Sequence, residues 1–191
     1  LDAYVDGRKV DRLTRGEIGV YVRLASGSHR YQLRRAGRVR YSGTFVLPSA
    51  KARTLVVSGT TWKLNDQVRI VKDRSTRPFG VGSLRIAHRS PDGPALDVWA
   101  QAAGSSRLVR IVRGASYPRD ADVLLAAGRY TLRVRRPGSS RTLLTVRNVV
   151  LAAGDLRTVW LLGSFDRRPR ELAFSAATST EVLPAAWDQA W

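Results

Sequence analysis

The sequence contains no cysteine and no methionine, two histidines and four lysines. Without cysteine there is no disulfide scaffold, no thiolate-held zinc and no thiol nucleophile. His29 and His88 are too few for a metal centre built on imidazole. Asp120 and Asp122 offer two carboxylates, short of the oxygen ligands a hard cation needs. The acidic residues number 15 against 33 basic ones, and no pair of them can be placed for general acid–base work. Gly80-Val81-Gly82 lacks the third glycine and the following helix of a phosphate loop. No metal, no cofactor and no catalytic set is expected, and the chain reads as non-enzymatic. No apolar run approaches the roughly 18 residues of a membrane span, so no transmembrane segment is expected. With no Met at its start, the natural chain is expected to extend upstream of Leu1. No signal-peptide pattern survives at the front.

Positive charge is what the chain has in excess. Its 191 residues carry a formal charge of +18. Apart from Lys9, Lys51, Lys63 and Lys72, every basic residue is Arg, a skew that codon bias in a GC-rich genome produces. Residues 1–78 hold 17 basic and 6 acidic groups, and residues 79–191 hold 16 and 9, so both halves are basic. Such a surface attracts nucleic acid, anionic envelope polymer or acidic lipid, and the attraction falls with salt.

Short alternating runs dominate the pattern, among them Tyr31-Gln32-Leu33-Arg34, Leu84-Arg85-Ile86-Ala87-His88 and Tyr130-Thr131-Leu132-Arg133-Val134-Arg135. Period two with β-branched and aromatic residues predicts half-buried strands. Asp6-Gly7, Ala36-Gly37, Asp92-Gly93-Pro94, Pro137-Gly138 and Ala153-Gly154 mark turns between them. The fold class expected is all-β, as two tandem immunoglobulin-like antiparallel β-sandwich domains. One turn of helix is expected at most, in 183–191.

The tandem arrangement comes from an internal repeat. YVRLASGSHRYQLRRAG at 21–37 matches ADVLLAAGRYTLRVRRPG at 121–138; each opens on an apolar strand before a small-Gly turn. GTFVLPSAKARTLVV at 43–57 matches RNVVLAAGDLRTVWL, and LDAYV at 1–5 matches LDVWA at 96–100. The domains expected are 1–78 and 79–191, joined by a linker near 74–82. The second copy opens with LRIAHRSPDGPA at 84–95, which the first lacks. The missing strand is expected upstream of Leu1 or from another chain, in which case the unpaired edge supports homo-oligomers or filaments.

LRIAHRSPDGPALDVW at 84–99 resembles the opening signature of the bacterial "domain of unknown function 4397" family. LAAGRYTLRV and VVLAAGDLRTVWL fit its later pieces in order. The resemblance implies a β-sandwich in an exported, cell-surface or envelope protein, and it implies no activity. Within the signature, His88, Ser90, Asp92 and Asp97 invite a hydrolytic reading. Their spacing favours a structural turn instead, because Ser90 diverges from His88 and Asp92 precedes Gly-Pro. Asp97 is expected to bond His88 across the strand pair or to meet solvent.

Two Arg-rich hairpins recur. Arg34, Arg35, Arg38 and Arg40 flank one Gly turn, and Arg133, Arg135, Arg136 and Arg141 flank the other. They are the candidate polyanion-binding residues, since guanidinium grips phosphate and carboxylate bidentately. Trp99 and Trp160 are expected in the core, and Trp187 and Trp191 in a self-docked tail. The function expected is a structural or adhesive module of an exported or surface-attached bacterial protein. Polyanion binding and strand-donated assembly are the alternatives. The partners expected are other envelope proteins or anionic polymers.

Overall fold

The computed structural model describes residues 1–14, 18–57, 68–74, 79–163, 165 and 175–180. Among them every regular element is a β-strand, and no helix is long and apolar enough to cross a membrane. Trp62, Trp187, Trp191, the 183–191 turn and residues 75–78 of the expected linker lie outside the described residues. The strands fall into two compact units, the first holding six and the second eight.

In the first unit β1 is Asp2–Val5, β2 Arg8–Arg12, β3 Gly27–Arg35, β4 Arg38–Leu47, β5 Arg53–Val57 and β6 Val68–Lys72. Four of them form one antiparallel sheet in the order β2-β1-β3-β4, and β5 pairs with β6. The two tight hairpins turn where predicted. Asp6 and Gly7, then Ala36 and Gly37, take positive φ, as two-residue hairpins require. Among the described residues of this unit, Leu33 and Val56 are the buried apolar side chains.

In the second unit β7 is Gly82–His88, β8 Leu96–Ala102, β9 Val109–Ala115 and β10 Asp120–Leu125. The chain continues through β11 Gly128–Arg135, β12 Thr142–Leu151, β13 Leu156–Leu162 and β14 Ser175–Thr180. The sheets run β10-β7-β13-β14 and β12-β11-β8-β9. Alternate residues of both point inward and meet as Leu84, Ile86, Leu96, Val98, Leu132, Val134, Val149, Val159 and Leu161. This is a β-sandwich. Burying each such side chain contributes about 1.5–3 kcal/mol. The sheets are antiparallel except where β7 runs parallel to β13.

One strand expected from the sequence does not form. The opening piece of 21–37 matches β10 in sequence, yet residues 18–24 carry no strand, and Ile18, Val20 and Val22 are exposed. β10 exists because β7 supplies its backbone partners. Among the described residues of the first unit no strand stands in β7's position, and unpaired backbone does not make a strand.

Candidate functional site

The Ser-Pro-Asp segment is a stitched turn. His88 is fully buried at the end of β7. Its Nε2 donates to Pro94 O at 3.1 Å, and its Nδ1 accepts the Ser90 amide at 3.3 Å. Both ring nitrogens are therefore engaged by backbone, and burial holds the imidazole pKa below the ordinary value. Ser90 Oγ donates to Gly163 O at 2.7 Å with Asp92 Oδ1 3.1 Å away, and Asp92 Oδ2 accepts the Phe165 amide. Neither His88 nitrogen bonds the Ser90 hydroxyl, so the three residues do not form a nucleophilic triad.

Asp97 does not join them: it neither bonds His88 nor meets solvent, the two outcomes expected, and is 2% exposed. It accepts Arg110 Nη1 at 3.2 Å and the Gly114 amide at 2.9 Å. The reason is alternation: Leu96, Val98 and Ala100 fill the core, so Asp97, Trp99 and Gln101 point out of β8. Trp99 is thus half-buried on the outer face and not in the core. The guanidinium carbons of Arg110 and Arg135 stand 5.4 and 5.5 Å from its ring centroid, within cation–π range. One strand over, Arg133 donates to Gln101 Oε1.

The first unit repeats the arrangement with other residues. Asp2 takes Asp97's place and Lys9 takes that of Arg110, their ion pair closing at 2.6 Å. Tyr4 stands for Trp99, and the Arg34 guanidinium carbon lies 4.2 Å from its centroid. Arg34 donates to Gln32 two residues back on its own strand, a bond without a counterpart at Arg135, whose Nε lies 3.4 Å from Thr142 Oγ1. The registers agree as well. Tyr4 opposes Lys9 as Trp99 opposes Arg110, and Asp2 opposes Arg34 as Asp97 opposes Arg135. In each unit an irregularity falls just before the aromatic residue and another just before the Arg of the hairpin. Such bulges re-aim side chains, and here two of them flank one ring. The Lys9 ammonium holds the Asp2 carboxyl below its ordinary pKa.

Of the eight hairpin arginines, Arg34, Arg133 and Arg135 lie on these outer faces. Arg35, Arg38, Arg40, Arg136 and Arg141 are exposed at the hairpin ends. The sequence reading missed Tyr4, Lys9 and Arg110, although alternation along LDAYV and LDVWA already puts each Asp and aromatic on one side. It also missed Arg89, 2% exposed, which pairs with Asp120 at 2.7 Å and bonds Pro118 O. Asp122 pairs with Arg85 at 2.9 Å. Asp120 and Asp122 are each neutralised by an arginine.

His29, the other histidine, is buried beneath the Asp6 turn. Its Nδ1 lies 2.7 Å from Asp6 Oδ2 and its Nε2 2.8 Å from Ala25 O. The Asp6 carboxylate, helped by that carbonyl, raises the imidazole pKa, and the Asp6 carboxyl is lowered in turn. In the second unit the hydroxyl of Tyr130 makes the matching bond to Ala126 O at 2.7 Å.

The model of the family described as "Domain of unknown function (DUF4397)" matches residues 1–99. The matched stretch takes in β1–β6 of the first unit and, in the second, β7, the Ser-Pro-Asp turn and β8 as far as Trp99. No curated protein matches the chain.

Proposed function

This chain belongs to the DUF4397 family, and from that premise we propose that it is a non-enzymatic structural and adhesive module of an exported or surface-attached bacterial protein. It consists of two copies of one module, immunoglobulin-like in their two-sheet build, the first without a β7-type opening strand. Correspondence of the sheets β2-β1-β3-β4 and β9-β8-β11-β12 supports the pairing of copies. The module adheres by Arg-mediated contact with polyanions. One observation carries this reading: a carboxylate, an aromatic ring and two cations recur at matching register positions on the sheets β2-β1-β3-β4 and β9-β8-β11-β12.

The test is a salt titration against polyphosphate. Arg34, Arg110 and Arg135 are changed to Gln together and compared with Arg38→Gln, Arg136→Gln and Arg141→Gln, which remove the same charge from the hairpin ends. The face variant is expected to bind about tenfold more weakly than the hairpin variant, with a shallower salt slope. Equal losses would reduce the binding to total charge and end the proposal.

A specific observation favours a second reading, assembly by strand donation. β13 lies between β7 and β14, whereas among the described residues β5 pairs with β6 alone. Ile18, Val20 and Val22 are 42, 71 and 43% exposed beside this arrangement in sequence. Sedimentation at high protein concentration is expected to show oligomers. A monodisperse monomer contradicts this reading.

A further inference from the structure

We propose, resting on the adhesive reading above, that the outer face around Trp99, with its counterpart at Tyr4, is a subsite for a carboxylate-bearing polysaccharide. Charge alone does not account for what the two units keep in common. Tyr4 becomes Trp99 and Lys9 becomes Arg110, so size and shape change, while a ring flanked by cations persists. A residue kept for packing would keep its volume instead. A ring with cations beside it suits a ligand that has both an apolar edge and an anionic group.

The surroundings specify the ligand further. Asp97 is 2% exposed and holds Arg110 beside the ring, so that cation is fixed before any ligand arrives. Arg135 stands on the other neighbouring strand. The two guanidiniums are fork-shaped donors that match planar carboxylates bidentately. Continuing along the same sheet from Gln101 is a shallow depression of about 250 Å³ lined by Ser105, Arg129, Thr131 and Asn148 among others. Amide, hydroxyl and guanidinium groups there suit the hydroxyls of a sugar. A polyphosphate would need only the cations. A single-stranded nucleic acid would stack its bases on the same rings and has no use for the hydroxyl and amide groups beside them.

The probes are polygalacturonate, polyphosphate and oligothymidylate, titrated into the whole chain at matched ionic strength. The variants are Tyr4→Ala with Trp99→Ala, and Tyr4→Phe with Trp99→Phe, each checked for folding by its two histidine resonances. The alanine pair is expected to weaken polygalacturonate binding about tenfold and polyphosphate binding less than threefold, as loss of an aromatic anchor does. The phenylalanine pair is expected to restore most of it. Unchanged polygalacturonate binding in the alanine pair overturns the subsite. So does an equal loss for polyphosphate, or tighter binding of oligothymidylate through the same rings. A wild-type chain that binds none of the three in a salt-sensitive way would instead overturn the adhesive reading itself.

Discussion

Arg89 and the two histidines are where single residues decide most. Arg89 Nη2 meets Asp120, and Nη1 donates to Pro118 O and His88 O, so one buried guanidinium ties the end of β7 to the start of β10. Removing one member of a buried ion pair leaves the other poorly paired. Arg89→Met is expected to cost about 2–3 kcal/mol in urea denaturation, against about 1 kcal/mol or less for Arg85→Met, whose partner Asp122 is solvent-exposed. The histidines should titrate in opposite directions by NMR, His29 above and His88 below the ordinary value of 6.5. The sign for stability follows. The raised His29 contributes fully below 6.5, and the contribution is lost as pH rises through its folded pKa. The lowered His88 contributes above 6.5, and that is lost as pH falls through its folded pKa. Alkaline pH therefore weakens the first unit, and mild acid the second. A turn at Ser90–Gly93 was legible from Asp-Gly-Pro, whereas the bonds of Asp92 to Ser90 Oγ and the Phe165 amide were not. The role of Arg89 was not, since nothing in its sequence neighbourhood separates it from the other arginines.

Strands and turns position these side chains. Gly93 sits against His88: a Cβ there would come within 2.7 Å of the imidazole Cε1 and 3.0 Å of the Phe165 ring. Gly93→Ala is expected to destabilise the second unit by about 1–3 kcal/mol, measured as a lowered urea midpoint, because the packed turn must open. Most strands were readable from period two and Gly turns. The two bulges were not, because one extra residue leaves composition and alternation nearly unchanged while displacing everything beyond it. Trp99 was misplaced for a different reason. Its hydrophobicity suggested core, whereas its step from Asp97 put it outside, and the pleat decides. Residues 18–24 show the converse case, a strand pattern without a strand, since pairing comes from a neighbour and not from the segment itself.

At the scale of the whole chain, the proposed repeat rests on motifs that recur in order and on the corresponding orders of the sheets β2-β1-β3-β4 and β9-β8-β11-β12. The cores differ. The large apolar cluster belongs entirely to the second unit, while Leu33 and Val56 are the apolar side chains buried among the described residues of the first. Thermal unfolding is accordingly expected in two steps, with hydrogen exchange fast in β1–β6 and slow in β7, β8, β11 and β13. A single cooperative transition with uniform protection would contradict that. Net charge predicted attraction to polyanions but pointed to no particular face, because 33 basic residues spread over both units look alike in sequence. The most direct test maps backbone amide shifts while polygalacturonate is added. The largest changes are predicted at Tyr4, Lys9 and Arg34 and at Trp99, Arg110 and Arg135. Shifts concentrated at the hairpin ends, or spread evenly over the surface, would contradict a binding face.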